Sequence, residues 1–415
     1  MKKKYLVLGL LATALSASAQ KAKDSTYKKQ RVSQTDVQLL FSYYTQEGDH
    51  SAVTGGIGTE ALQVYAPEVT ITHKRDSVNT FHVNMGVDVI TSASTDKIDH
   101  IVSSASRVDA RTHLDAGYSR LLRRSRIRVG IHSGFSIESD YFSVPVGITL
   151  SQANAGGTRE VNASLQVFLD DLRWGRLDPD HFSPEKLIYP EELRYKEWFT
   201  EYKRRSYNAS FALYQVINER MQLAVFPELV YQHGLLSTPF HRVYFFGDSL
   251  KVENLPRERW KVPLGVQLNT FVGQRLILRS YYRFYRDNFG ITAHTLQLEA
   301  PVKITPRLTL SPLLRYYNQQ GSKYFKPYKV HLLSERFYTS DYDLSTFNSY
   351  KLGMGVRYAF YKPFLGNYSF REAALRYAFY KRSDGLSAHM ITLLLEASHM
   401  RMHGGKGDGS VVSKP

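Results

Sequence analysis

The feature that most constrains this chain is a two-residue alternation of apolar and polar side chains in segments of about ten residues. The range 81–89, with the sequence FHVNMGVDV, is typical. Successive side chains of a β-strand point to opposite faces, so the pattern predicts strands with one apolar and one polar face. About sixteen such segments predict an all-β protein; they are centred near residues 40, 67, 85, 116, 132, 147, 165, 210, 226, 266, 280, 296, 312, 355, 376 and 392.

The links between these segments predict how the strands are arranged. Links after even-numbered segments are short, as in 122–126 and 271–274. Long links all follow odd-numbered segments: 45–59, 92–109, 171–201, 234–260 and 318–348. Short turns on one rim and long loops on the other are typical of barrels that span an outer membrane. The sequence therefore predicts a transmembrane antiparallel up-and-down β-barrel of about sixteen strands.

The chain begins with the pattern of a secretory signal peptide. Three lysines at 2–4 precede an apolar stretch over 5–15, and the small residues ASA at 17–19 precede Gln20. The apolar stretch is about half as long as a membrane-spanning helix requires. We therefore expect export, cleavage after Ala19 and a location in the cell outer membrane. The expected organisation is a signal peptide over 1–19, a periplasmic N-terminal segment over 20–35, the barrel over 36–400 and a disordered tail over 401–415.

Composition narrows the classes of function. The chain has no cysteine, which excludes a lipoprotein anchor, disulfides, thiolate metal sites and cysteine nucleophiles. Without the three signal-peptide lysines, 51 of the 54 Lys and Arg remain against 38 Asp and Glu, a net charge of +13. These basic residues are spread along the chain, which favours lipid phosphates, anionic solutes or a cationic lumen over nucleic acid.

The expected partners follow from this location and charge. We expect outer-membrane lipid, lipopolysaccharide and the outer-membrane assembly machinery as partners, and no nucleic acid. No dinucleotide or phosphate loop and no zinc-protease motif is present in the sequence, so we expect no cofactor.

The polar faces of the predicted strands carry the candidate functional residues. We expect these side chains to line the lumen: Asp88, Arg111, His113, Asp115, Arg128, His132, Glu138, Arg279, Arg283 and Glu299. Their mixed signs predict a ladder of paired carboxylates and cations. Arg279 and Arg283 lie four residues apart on one strand, so they either line a pore for anions or pair with Glu299 on the next strand.

Two patterns for metal binding are weaker. We place His82, His113 and His132 at different heights along the barrel, too far apart to share an ion, and expect no metal there. Asp341, Tyr342 and Asp343 offer the oxygen ligands that calcium accepts, but the spacing is not that of an EF-hand. We expect a solvated turn at that position.

Outward-facing residues suggest two further features. Tyr281, Tyr282, Phe284 and Tyr285 crowd one strand end and predict part of an aromatic girdle at the membrane interface. Ser280 and His294 fall on outward positions of one hairpin, where an outer-membrane lipase would carry its catalytic pair. We find no outward acidic residue to orient His294, so we expect no enzyme.

Five stretches resemble a known family: 52–66 (AVTGGIGTEALQVYA), 88–113, 136–145 (SIESDYFSVP), 282–295 (YRFYRDNFGITAHT) and 338–345 (YTSDYDLS). The chain is similar there to the outer-membrane proteins of Bacteroidetes grouped as domain-of-unknown-function family 3570. The resemblance implies a barrel. It also implies a periplasmic redox partner, because members often lie near genes for flavin-attaching and thioredoxin-like proteins.

The leading hypothesis for function is a porin-like or transporter-like channel for small polar or anionic solutes, lined by Arg111, Arg128, Arg279 and Arg283. The alternative is a non-conducting barrel that displays its loops or docks a periplasmic partner, and the third is an outer-membrane lipid hydrolase. The conformation of the long loops, above all 318–348, decides between the first two, because loops folded inward would plug a barrel of this width.

Overall fold

The computed structural model describes residues 31–92, 108–138, 141–172, 203–238, 241–360 and 368–403. The predicted signal peptide and most of the links 92–109 and 171–201 lie outside these ranges. Two short 3-10 turns, Ala52–Thr54 and Tyr342–Leu344, accompany the strands. In this part of the chain we find no helix with the length and apolar character needed to cross a membrane.

The described residues form nineteen strands. Their bounds are β1 Arg31–Glu47, β2 Leu62–Lys74, β3 Asn79–Ser92, β4 Val108–Leu122, β5 Ile127–Ile137, β6 Phe142–Ala153, β7 Arg159–Asp171, β8 Lys203–Asn218, β9 Met221–Gly234, β10 Arg242–Tyr244, β11 Leu250–Val252, β12 Glu258–Val272, β13 Leu276–Asp287, β14 Thr292–Glu299, β15 Val302–Lys303, β16 Leu308–Gln320, β17 Phe347–Ala359, β18 Tyr368–Arg382 and β19 Ser387–His403.

Seventeen of these strands form one closed sheet. β14 and β15 share one position in the wall, interrupted at Ala300 and Pro301, and β10 and β11 form a separate hairpin between β9 and β12. β1 pairs antiparallel with both β2 and β19, which closes the barrel. The wall therefore has sixteen positions, and the predicted antiparallel barrel is confirmed.

The closing pair of strands is longer than the sequence indicated. β1 pairs with β19 from Arg31 opposite His403 to Glu47 opposite Ser387. The pairing of β1 with β2 ends at Gln34, which lies opposite Lys74. β1 and β19 stay paired beyond that point, as far as Arg31 and His403. The barrel therefore includes residues 31–35 and 401–403, which the expected boundaries at 36 and 400 had left outside.

The exterior of the barrel is apolar. Leu165 is 63% exposed and Val87 38% exposed, and both point away from the lumen. Leu165 lies opposite Ile148 on one side and Ala209 on the other, so the apolar row continues from strand to strand. An apolar outer band on a closed barrel suits contact with lipid, because no edge strand is left unpaired.

Only two of the four aromatic residues that we expected in the girdle at β13 face outward. Tyr282 and Phe284 face outward, opposite Leu296 and His294. Tyr285 points into the lumen, where its O–H donates to Asp287 Oδ2 at 2.9 Å. Tyr281 shares the parity of Tyr285. Neighbouring residues of a strand cannot lie on one face, so a run of four aromatics divides between lipid and lumen.

The two ends of the barrel differ. One end, the turn rim, carries the short links 75–78, 123–126, 154–158, 219–220, 273–275 and 304–307. The other end, the loop rim, carries 48–61, 235–257 and 321–346, together with the short links 288–291 and 383–386. We name the described residues of 48–61, 235–257 and 321–346 the loop cap.

Candidate functional site

The lumen wall carries paired charges, beginning with Asp88 and Arg111. These residues lie directly opposite each other on β3 and β4, and Arg111 Nη1 is 3.6 Å from Asp88 Oδ2. Arg111 Nε also donates to Ser136 Oγ at 2.8 Å. The guanidinium is thus held between β3 and β5, as expected for a ladder of paired charges.

His132 and His113 lie flat against the wall near the same strands. His132 Nδ1 is 3.2 Å from Asp115 Oδ2, and the ring lies over Gly147, where a Cβ would be 2.0 Å from His132 Nε2. His113 lies over Gly86 in the same way, with Cε1 2.5 Å from the position of a Cβ. Inward glycines therefore make room for both imidazoles.

Two of the three histidines predicted to lie at different heights lie at the same height. His82 and His132 are both opposite Gly117, so they share one height on either side of β4. Two strand spacings, about 9.6 Å, separate them laterally. His82 Nδ1 lies instead 3.3 Å from Thr72 Oγ1. Among the described residues, no group of three metal-ligating side chains includes these histidines.

Arg128 lies on the same wall, close to the turn rim. Its Nη1 donates to Val78 O, Thr80 Oγ1 and Ser119 Oγ, each at 3.3 Å. These acceptors are neutral, so none of them offsets the positive charge of the guanidinium.

The arginines of β13 have separate partners. Arg279 Nη1 is 3.3 Å from Glu299 Oε2, so Arg279 pairs with the carboxylate on the next strand. Arg283 Nη2 is instead 3.0 Å from Glu228 Oε2 on β9, so Glu299 does not hold both. Glu299 is shared with Arg376 of β18, whose Nη2 is 3.5 Å from its Oε1.

Three further cations on this side of the lumen were missed from the sequence. Arg315 lies directly opposite Gln297 and Lys351 on the neighbouring strands, and its Nε donates to Gln297 Oε1 at 2.9 Å. The Arg376 side chain runs along the inner wall past Gly355, where the missing Cβ leaves space for it. We name Arg279, Arg283, Arg315, Lys351 and Arg376 the basic wall patch. The alternation within β16 and β17 was sufficient to find Arg315 and Lys351.

In the wall pairs, the cation is more exposed to the lumen than the carboxylate. The Arg279 side chain is 42% exposed and that of Glu299 11%. The same order holds for Arg111 with Asp88 and for Arg204 with Asp170. The long guanidinium side chains project over carboxylates that lie against the wall. A solute in the lumen therefore meets mainly positive charge.

The loop cap is a folded unit with a small core of its own. Val243, Phe245 and Tyr338 are buried together. The Tyr338 N–H donates to Asn254 O and the Phe246 N–H donates to His331 O, both at 2.8 Å. The link 321–346 is therefore packed against the link 235–257.

Arg382 attaches the loop cap to the lumen wall. This β18 residue is 5% exposed, and it donates from Nη1 to Asp343 Oδ1 at 2.5 Å and from Nη2 to Tyr342 O at 2.8 Å. Its guanidinium also lies 4.0 Å from the centre of the Phe347 ring. Tyr342 stacks on His50 at 3.8 Å, which adds the link 48–61 to the cap. The loops thus fold inward on this side of the lumen.

A cavity of about 480 Å³ remains between the cap and the wall. Its wall side includes Asp88, Arg111, Glu138 and Arg204, and 236–238 of the cap close the other side. Arg204 Nε is 2.7 Å from Asp170 Oδ2. Three of the residues predicted to line the lumen, Asp88, Arg111 and Glu138, thus meet at one cavity near the loop rim.

Ser280 and His294, at the positions where a lipase would carry its catalytic pair, are not directly opposite each other. Ser280 is opposite Leu298, and His294 is opposite Phe284, four residues away along β13. His294 Nδ1 lies 2.8 Å from Tyr282 Oη, an arrangement repeated by Tyr377 and His389 on β18 and β19. Both pairs suit an interfacial position in which an aromatic ring faces lipid and its polar end faces water.

A closed sixteen-position barrel with an apolar exterior and a charged lumen defines a membrane-spanning β-barrel of porin size. The chain belongs to the family described as "Protein of unknown function (DUF3570)", whose model matches residues 98–386. No curated protein matches the chain by sequence.

Several solved structures are similar to this chain over most of its length. One is a "bacterial polysaccharide outer membrane secretin", with 8% identity, coverage of 88% of this chain and 97% of that chain, and a TM-score of 0.46. Pseudomonas aeruginosa OccK1 (OpdK) has 7% identity, coverage of 89% and 99%, and a TM-score of 0.41. The TodX monoaromatic hydrocarbon channel has 9% identity, coverage of 90% and 90%, and a TM-score of 0.40. Values this low carry no information on function.

Proposed function

We propose that this protein is an outer-membrane channel for small anionic solutes, with the loop rim facing the exterior and the turn rim facing the periplasm. The observation that carries the proposal is the basic wall patch, in which five cations face the two carboxylates Glu228 and Glu299. This surplus of positive charge lies on β13, β16, β17 and β18, within five neighbouring positions of one wall.

Physical chemistry connects this patch with anions. An anion that enters a confined lumen loses part of its hydration shell, and fixed positive charges offset that loss. A lumen lined by one sign of charge also raises the local concentration of the opposite ion. A sixteen-stranded barrel is wide enough for an aqueous path where loops do not fill it.

The loop cap supports a preference for small solutes. It covers the side of the lumen near Arg382, while the cavity beside Asp88 and Arg111 lies on another part of the wall. A solute passing this cavity meets paired charges of both signs. The patch deeper in the lumen, where the cations are in excess, then sets the preference for anions.

A second candidate is a non-conducting barrel that displays the cap to the exterior. The buried core of the cap and its attachment through Arg382 favour it, because both hold the loops over the lumen. Solute flux separates the two candidates.

The test measures solute flux through the purified barrel in lipid vesicles, with a small carboxylate and a small ammonium ion of matched size. The double variant R315Q/K351Q removes two cations of the patch, and R286Q/K381Q removes one Arg and one Lys from exposed positions of β13 and β18 that face away from the lumen. We expect the native barrel to pass the carboxylate several-fold faster. We expect R315Q/K351Q to bring the ratio close to one, and R286Q/K381Q to preserve it. No flux of either solute, or equal effects of the two double variants, would contradict the proposal.

A further inference from the structure

Three side chains with metal-ligating atoms meet inside the loop cap. His241 and Glu253 flank the β10–β11 hairpin, and Asp341 precedes the 3-10 turn of 342–344. His241 Nδ1 is 3.7 Å from Glu253 Oε1 and 3.9 Å from Asp341 Oδ2. The three ligand atoms lie within 4.8 Å of one another, and no other group of this kind occurs in the part of the chain that the structure describes.

These spacings suit a shared ion better than direct hydrogen bonds. An N–H···O hydrogen bond joins atoms about 2.7–3.2 Å apart, so 3.7 and 3.9 Å are too long. Nitrogen and oxygen ligands about 2.0–2.2 Å from a tetrahedral zinc ion lie about 3.3–3.6 Å from each other. A contraction of a few tenths of an ångström would bring His241 Nδ1 to that distance from both carboxylates, whose own ligand atoms lie within 4.8 Å of each other.

Surrounding groups orient both carboxylates. Glu253 Oε2 accepts a hydrogen bond from the Thr238 N–H at 2.7 Å, and its Oε1 accepts one from Thr339 Oγ1 at 2.5 Å. Asp341 Oδ1 accepts from the Asp343 N–H at 2.9 Å, which leaves Oδ2 directed at His241. Hydrogen bonds of this kind to ligating carboxylates fix their orientation in metal sites.

The charges also favour a divalent ion. The Glu253 side chain is 2% exposed, and those of His241 and Asp341 are 18% and 23% exposed. A protonated imidazole balances only one of the two carboxylates, whereas a divalent cation balances both and leaves the imidazole neutral.

We propose that His241, Glu253 and Asp341 bind a divalent transition-metal ion, with Zn²⁺ the best match and a water molecule as the fourth ligand. The imidazole nitrogen decides the class of metal, because Ca²⁺ and Mg²⁺ take oxygen ligands. The ion clamps the link 235–257 to the link 321–346. Zinc binding at this site does not require that the barrel conducts solutes.

The test uses the full mature barrel, purified in detergent and stripped of metal with a chelator. Three quantities are measured: the zinc content after desalting, the affinity for Zn²⁺ by calorimetric titration, and the rate at which a protease cuts the link 321–346. We expect one zinc ion per chain and several-fold slower cleavage with zinc. We expect E253Q and H241A to weaken zinc binding at least 100-fold. Thr339→Val, which removes the hydroxyl that orients Glu253, should weaken it by about 10–100-fold.

Asp248→Asn is the matched control, because Asp248 is a carboxylate of the same link that pairs with Lys329 instead. It should bind zinc as the native protein does. All variants are first checked for the shift in gel mobility on heating that folded barrels show. The proposal is overturned if the folded E253Q variant binds zinc as tightly as the native protein, or if Ca²⁺ binds and Zn²⁺ does not.

Discussion

Single residues shape the lumen wall, and Gly147 is the clearest case. A Cβ at this position would lie 2.0 Å from His132 Nε2, so glycine is what allows the imidazole to lie along the wall and reach Asp115. The other inward ring of this region, His113, has the same arrangement over Gly86. The sequence predicted which face these histidines occupy, but not that each one covers a glycine.

We expect Gly147→Ala to displace His132 and to lower the free energy of unfolding by about 1–3 kcal/mol, the usual cost of overpacking. Urea unfolding in lipid vesicles measures the change. Gly156→Ala is the control, because a Cβ at Gly156 comes no closer than 3.9 Å to any other group. Equal stability of the two variants would show that His132 does not depend on this glycine.

A cation on the outer face should impair folding, whereas a neutral residue on the inner face should not. We expect Val87→Arg and Leu165→Arg to destabilise the barrel by about 2–4 kcal/mol each if they lie near the bilayer midplane. Asp88→Asn should cost much less, because it keeps a hydrogen-bonding side chain beside Arg111 in the aqueous lumen. The measurement is the fraction of folded protein in purified outer membranes. Similar losses in both classes would contradict the assignment of the two faces.

At the scale of elements, the strands and the loops differ in how far they could be predicted. A strand such as β3 has its pattern within its own residues, so period and parity were sufficient to locate it. The cap depends on contacts between distant residues, such as the hydrogen bond from Thr339 to Glu253, 86 residues away. For this reason Asp341 was expected in a solvated turn, and its contact with His241 could not be foreseen.

The attachment of the cap through Arg382 leads to a test of its role. Arg382→Gln removes the charge-assisted hydrogen bonds to Asp343 Oδ1 and Tyr342 O of the cap, and the loss should weaken the attachment by about 2–3 kcal/mol. We expect faster proteolysis of 321–346 and a larger single-channel conductance. Lys381→Gln, one residue away on the outward face, should change neither. An unchanged conductance in a folded Arg382→Gln barrel would mean that the cap does not restrict the lumen.

Glu335 makes the cap sensitive to acid. Burial alone would raise the pKa of Glu335, but hydrogen bonds from Lys326, His331 and the Leu332 N–H lower it to about 2. The folded pKa lies below the ordinary value of 4.5, so this contribution to stability is complete above about pH 4.5 and is lost as the pH falls toward 2.

We therefore expect pepsin to cut the link 321–346 faster as the pH falls from 4.5 to 2. Rates are corrected with an unfolded peptide substrate at each pH. Glu335→Gln should flatten this dependence and cut faster at pH 4.5. If the native protein and the variant show the same pH profile, Glu335 does not control the cap.

In the molecule as a whole, the charged groups of the wall pairs lie at two depths inside the barrel. The exterior is apolar, carboxylates such as Glu299 lie against the inner wall, and guanidinium groups project into the lumen. The sequence predicted the barrel and the inward set, because both follow from alternation. It did not predict that Arg283 would bond to Glu228 of β9, since these residues lie 55 positions apart and their alignment depends on how β12 pairs with both strands.

Anion selectivity of the lumen can be measured as the zero-current potential of the purified barrel in a planar bilayer under a tenfold KCl gradient. We expect discrete current steps and a potential of the sign that anion preference gives. The preference should fade as the salt approaches 1 M, where the Debye length shrinks to about 3 Å. A preference for cations, or the absence of current steps at every salt concentration, would contradict it.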